Sequence, residues 1–184
     1  MVMKDVKYVT LDEIAKNVSP EFVDLAERYP DEFRKAYGEP DSKSYRAALD
    51  EGRNVYIAEA CWHCHSQFVR PVANENQRFG PVSWPAEHQN ELQLPQLFGT
   101  RRVGPDLIRE ARKRSNDWHI AHFWDPPMVV PESIMPRFTW FFDANGKPNR
   151  RALALTTYVQ WLGSWLPESD ELLTNVIASP GGEK

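Results

Sequence analysis

The chain has two cysteines, both in the stretch "ACWHCHSQFVRP", with a histidine directly behind the second. Cys61-Trp62-His63-Cys64-His65 therefore has to place two thiols and an imidazole within one turn of chain. Four chemistries use such a pair. A disulfide here would close too short a loop to stabilise much. A thiol redox pair belongs beside a βαβ pattern, and the sequence shows none. A zinc site needs further ligands, which only His63, His65, His88, His119 and His122 could supply. The fifth position decides in favour of the fourth chemistry, because C-x-x-C-H is the attachment signature of c-type haem. Two thiols add to two vinyl groups on one porphyrin edge, and the adjacent histidine reaches the iron from one face. His63, between the cysteines, takes no ligand role.

The length of 184 residues suits one compact domain with extensions. With 41% hydrophobic and 26% charged residues, the composition is that of a soluble globular protein. A net charge of −4 argues against nucleic acid as a partner. No run approaches ~20 apolar residues, so no membrane span is expected in this chain. The N-terminus lacks the apolar core of a signal peptide and, taken alone, reads as cytoplasmic. The 15 prolines imply stiff irregular connections, and the 7 tryptophans are flat surfaces that need a core or a planar ligand to pack on.

Helical signals dominate. Residues 1–44 read as a polar arm, with Ser19-Pro20 and Pro30 opening short helices and a weak stripe of Phe22, Val23, Leu25, Phe33 and Tyr37. Ser44 to Ala60 carries Tyr45, Ala48, Leu49, Gly52, Tyr56 and Ile57 at helical spacing. Gly52 costs about 1 kcal/mol against alanine in mid-helix, which implies close approach of another element. Residues 66–104 exceed an ordinary connection and suggest a functional loop. A short basic helix is expected over Leu107 to Arg114. A second helix, "NDWHIAHFW", is capped by Ser115 or Asn116 and ended by Pro126. Asn149 caps the last helix, whose Leu153, Leu155, Thr156, Tyr158, Val159 and Leu162 are amphipathic and which Gly163 and Pro167 stop. The fold is expected to be mostly α with long proline-rich loops: an N-terminal arm 1–44, a main domain 45–166 and a tail 167–184.

A bound haem needs a sixth ligand or an open position. Met135, held between Ile134 and Pro136, is the leading candidate, and a thioether would raise the reduction potential relative to a second histidine. Met135 could instead fill a gap in the core. Met128 is nearby, and His119 and His122, three apart on one helix, allow a bis-histidine iron. In "GTRRVGPDL", Gly104 and Pro105 let the backbone pass close to a flat cofactor, and a carbonyl there could accept from the second ring nitrogen of His65. Arg70, Arg101 and Arg102 are candidates to pair with haem carboxylates. The continuing run Arg109, Arg112, Lys113 and Arg114 also fits a solvated basic face. Trp62, Trp84, Trp124 and Trp140 are read as packing on the porphyrin rather than lining an electron path.

A helix with Gly52 and Tyr56, then C-x-x-C-H, "GPDL", a loop methionine and a closing helix with Tyr158 and Trp161 resembles a class I cytochrome c. In that fold the first and last helices cross at the glycine. More narrowly, "EGRNVYIAEACWHCHSQFVRP", "GTRRVGPDL", "SNDWHIAHFWDP" and "VVPESIMP" resemble the mono-haem subunit II of cbb-type haem-copper cytochrome c oxidases. The resemblance implies one covalent haem c, ligated by His65 and Met135. It implies electron transfer from a donor cytochrome or other carrier to a membrane haem-copper subunit, with no substrate chemistry in this chain. It carries no role onto His119 or His122. That family begins with a membrane-spanning helix, which this chain does not show. Haem loading takes place outside the cytoplasm, so an extracytoplasmic, periplasmic location is expected. The rival functions are a subunit of a nitric-oxide-reductase-like complex, a haem enzyme or gas sensor with a displaceable sixth ligand, and a thiol-redox or zinc protein.

Overall fold

The computed structural model describes residues 8–99, 101 and 103–165. The tail at 167–184 and Arg102 lie outside the described residues. Among the described residues eight α-helices follow in order: α1 Leu11–Ala15, α2 Pro20–Arg28, α3 Pro30–Tyr37, α4 Ser42–Ala58, α5 Cys61–Cys64, α6 Glu75–Phe79, α7 Asn116–Trp124 and α8 Arg150–Trp161. Among the described residues extended pairing is limited to two isolated bridges, Val9 with Asn90 and Phe142 with Pro148. The fold is mostly α, as the sequence implied.

Local chemistry sets the helix starts. Ser19 Oγ accepts from the Phe22 N–H, with Pro20 in the first turn. Asp41 and Ser44 form a reciprocal box at the head of α4. That box starts α4 two residues before the expected Ser44, since an aspartate cap precedes the serine. Ser115 caps α7, and Asn149 Oδ1 accepts from the Arg151 and Ala152 N–H groups at the head of α8.

The core is built on α4 against α8. Every residue from Ala152 to Trp161 is buried. The facing side of α4 buries Tyr45, Ala48, Leu49, Gly52, Val55 and Tyr56. At the crossing, a Cβ on Gly52 would stand 2.1 Å from the Ala154 carbonyl oxygen and 2.6 Å from Tyr158 Cβ. The Tyr56 and Tyr158 rings meet next to it, with centroids 5.6 Å apart. Leu11, Phe22, Leu25 and Phe33 of the first three helices join this same core, and Phe22 packs on both Phe33 and Tyr45. Val23, expected from the sequence in the same stripe, is 37% exposed, because it follows Phe22 by one residue and so points off the buried face.

Two sequence expectations change. Leu107 to Arg114 forms turns, not a helix. Its backbone groups are used elsewhere: the Leu107 N–H donates to Ser66 O and the Ala111 N–H to Leu162 O, both at 2.8 Å. Arg112 also takes a left-handed conformation with φ of 64°, which a helix cannot contain. The long stretch 66–104, in turn, contains the short helix α6.

Substituting Gly52→Ala tests the crossing. Alanine would gain about 1 kcal/mol of helix propensity, but its methyl meets backbone that cannot rotate away. We expect net destabilisation of about 1–3 kcal/mol from overpacking, read as a lower denaturant midpoint.

Candidate functional site

Helix α5 is a single turn. Ala60 enters it in the left-handed region, with φ of 57°. The His63 N–H then returns to Ala60 O at 3.0 Å, and the His65 N–H to Cys61 O at 2.9 Å. The two thiols are free. With His65 they line a cavity of about 1580 Å³, larger than the ~300–1,000 Å³ of an ordinary small-ligand pocket. Burial pushes the Cys61 thiol up to about 12, with Glu59 and Cys64 adding to it. Held in the thiol form, Cys61 is a poor nucleophile for disulfide exchange.

His65 is fixed on two sides. Its Nδ1 lies 2.9 Å from Pro105 O. A carbonyl can only accept, so Nδ1 carries the proton and the Nε2 lone pair is left available. Burial lowers the His65 pKa, opposed by the Pro105 carbonyl and Asp106, and this favours the neutral imidazole. Gly104 lies flat against the ring: a Cβ there would be 2.2 Å from His65 Cε1. Tyr56 of α4 donates to His65 O at 2.8 Å. The Asp106 carboxylate fastens the loop, accepting from Ser66 Oγ, the Phe68 N–H and the Ile108 N–H.

Met135 lines the same cavity. Its loop is pinned by Arg137, which donates twice to the Asp125 carboxylate, and by the Phe138 N–H bonded to Phe123 O at 2.9 Å. Met135 is partly buried, whereas Ile134 beside it is 79% exposed. Met128 is 65% exposed and stands away from the cavity wall.

His119 and His122 reach the cavity from α7. The buried His119 Nε2 and His122 Nδ1 have no hydrogen-bond partner among the described residues. Burial drives His119 down to about 3, with His122 and Arg114 adding to it, and His122 down to about 4, with His65 adding to it. Trp118 stacks on His122 with centroids 4.6 Å apart and is the one tryptophan that lines the cavity. Trp62 stacks instead on His63, Trp124 packs on Phe142, Trp140 bonds Glu59, and Trp84 is also away from the wall.

The arginines separate. Arg101 lines the cavity. Arg70 does not: its guanidinium is held by the buried Glu75 carboxylate, with Nε at 2.8 Å. Arg109, placed by its sequence context on a solvated face, is instead half-buried in the cavity wall against the buried Glu87. Sequence spacing could not reveal that pair, because its members are 22 residues apart.

A helical domain whose long helices cross at a glycine, with a C-x-x-C-H turn opening on a cavity faced by a methionine, has the plan of a c-type cytochrome. The family described as "Cytochrome C oxidase, mono-heme subunit/FixO" matches residues 38–163, and the chain belongs to it. A comparison with curated proteins gave no match. The site fits the family's haem in three respects. The cavity is large, the His65 imidazole has a free lone pair, and the two thiols of the C-x-x-C-H turn line the same cavity.

The unpartnered histidines predict acid sensitivity. An unfolded chain takes up protons near the ordinary value of 6.5, while His119 and His122 in the fold refuse them until about 3 and 4. The unfolded state therefore holds more protons across that window, and native stability falls as pH drops from about 6.5 towards 4. Denaturant midpoints at pH 7, 6, 5 and 4 should show this slope, and His119→Phe should flatten it.

Proposed function

We propose that the chain is the electron-transferring mono-haem subunit of a cbb-type oxidase. The observation that carries this reading is the His65 ring, trapped between Gly104 and the Pro105 carbonyl beside two thiols and a methionine in one cavity. When bound, the haem supplies one iron that accepts a single electron and passes it on. Cys61 and Cys64 would hold it by two thioether bonds. His65 Nε2 and the Met135 thioether would be the iron ligands. The Pro105 carbonyl fixes the His65 tautomer and raises its basicity. The apolar cavity wall and the thioether both favour a high reduction potential. Arg101 and Arg102 are proposed to offset the haem carboxylates.

The partners on this reading are a donor cytochrome or other carrier and a membrane haem-copper subunit, met on the extracytoplasmic side. No helix of the described residues is long and apolar enough to cross a membrane. The family match supports an oxidase over a nitric-oxide-reductase-like complex. The unpartnered nitrogens of His119 and His122 favour a second reading, in which histidine is the sixth ligand.

The test is protein made with a haem-c maturation system. We expect haem that survives acid extraction and the weak near-infrared charge-transfer band of methionine-ligated ferric iron. Met135→Ala should remove that band, lower the midpoint potential and admit carbon monoxide to the reduced protein. A variant with unchanged spectrum and potential would transfer the ligand role to His119 or His122. A colourless protein with titratable thiols would remove the haem reading altogether.

A further inference from the structure

Among the cationic side chains that line the cavity, Arg109 is set apart by burial. Arg78, Arg101, Arg112, Lys113 and Arg114 are exposed. Arg78 lies over Phe79, Arg114 over Trp118, and Arg112 reaches Glu21 at 3.4 Å. The side chain of Arg109 is 14% exposed and that of its partner Glu87 is 0% exposed. The guanidinium is held at two points: Nη2 donates to Glu87 Oε1 and Nη1 to Pro81 O, each at 2.7 Å. Glu87 is held in turn by the Trp84 N–H at 3.0 Å. Two glycines shape the slot. A Cβ on Gly80 would stand 3.3 Å from Arg109 Nη1, and one on Gly163 would stand 2.7 Å from Arg109 Cα.

This arrangement is costly for stability alone. A buried ion pair often contributes less than apolar residues of the same volume. This one is also incomplete, since the buried Arg109 Nε and Glu87 Oε2 have no partner among the described residues. Guanidinium has five donors in a rigid fork, and two of them are engaged in the bonds above. A guanidinium fixed in advance loses little freedom when a ligand arrives. The flexible exposed arginines would lose more.

Resting on the haem reading above, the geometry points to Arg109 as the cavity's built cation, the residue that would hold a haem carboxylate, and to Glu87 as the positioning residue that aims it and offsets its charge. A fixed positive charge beside the cavity favours the reduced, less positive iron; a fixed negative charge favours the oxidised form. The pair then sets the reduction potential from the cavity wall, without touching the iron ligands.

The test is the midpoint potential of the covalently loaded protein in wild type, Arg109→Gln and Glu87→Gln. We expect shifts of opposite sign: downward for Arg109→Gln and upward for Glu87→Gln. A purely structural pair predicts otherwise. Loosening either member would admit water, raise the local dielectric and move both variants the same way. Shifts of the same sign, or none, would overturn the assignment. If Arg109→Gln yields no loaded protein, Glu87→Gln decides alone: an upward shift supports the inference, and a downward or null shift overturns it. Acid extraction of the wild type separates the two levels. Absence of covalent haem there would overturn the haem reading and this inference with it, whereas covalent haem with same-signed shifts would overturn only the role of the pair.

Discussion

The close approach of α4 to α8 at Gly52 is the constraint on which the site depends. With no side chain at 52, the α4 backbone meets the Ala154 carbonyl directly, and the tyrosines one turn further on are locked in place. Tyr56 reaches His65 O. Tyr158 and the Gln67 side-chain amide exchange hydrogen bonds, and Gln93 donates onward to Gln67 Oε1. The chain leaving the C-x-x-C-H turn is thus tied to the helix crossing through two phenols and two amides. A shift of either helix would move the imidazole.

The second support is a strap of irregular backbone. Residues 97–99, 101 and 103–107 lie along 62–67 without forming a strand. The Gln67 N–H donates to Leu97 O and the Gly104 N–H to Cys64 O, each at 3.0 Å, and the Leu107 N–H donates to Ser66 O at 2.8 Å. Gly99 passes so close that a Cβ would stand 2.5 Å from Trp62 O. Backbone polar groups here are satisfied by a second loop rather than by regular secondary structure. The same strap delivers the Pro105 carbonyl to His65.

Charge is unevenly spent. The chain carries a net −4, yet Arg78, Arg101, Arg109, Arg112, Lys113 and Arg114 line one cavity, against Glu59, Asp106, Glu110 and Glu132. Next to them the interior is dry enough to keep His119 and His122 neutral and to hold the Glu87 carboxyl above its usual range despite the Arg109 guanidinium. In such a medium each fixed charge acts over a longer range than it would in water. A redox centre placed there would be tuned by groups several residues removed from its ligands.

Much of this was legible in the residues themselves. The helix heads follow from Ser19, Ser115 and Asn149, because a cap is a local hydrogen bond. Gly52 announced a crossing because a mid-helix glycine has a cost that only close packing offsets. The thiols, His65, the Gly104-Pro105 bend and Met135 were each marked by spacing or by flanking prolines. Tertiary structure alone decided which basic residues matter. Arg70, five residues from Glu75, is taken up by a local pair, while Arg109 turns inward to a carboxylate 22 residues away. It also decided that 107–114 is not a helix, because the Leu162 carbonyl takes the Ala111 N–H that a helix would have bonded to Leu107 O, and Arg112 turns left-handed. Local periodicity records what a segment can form by itself. Which cation is buried, and against what, depends on partners that only the folded chain brings together.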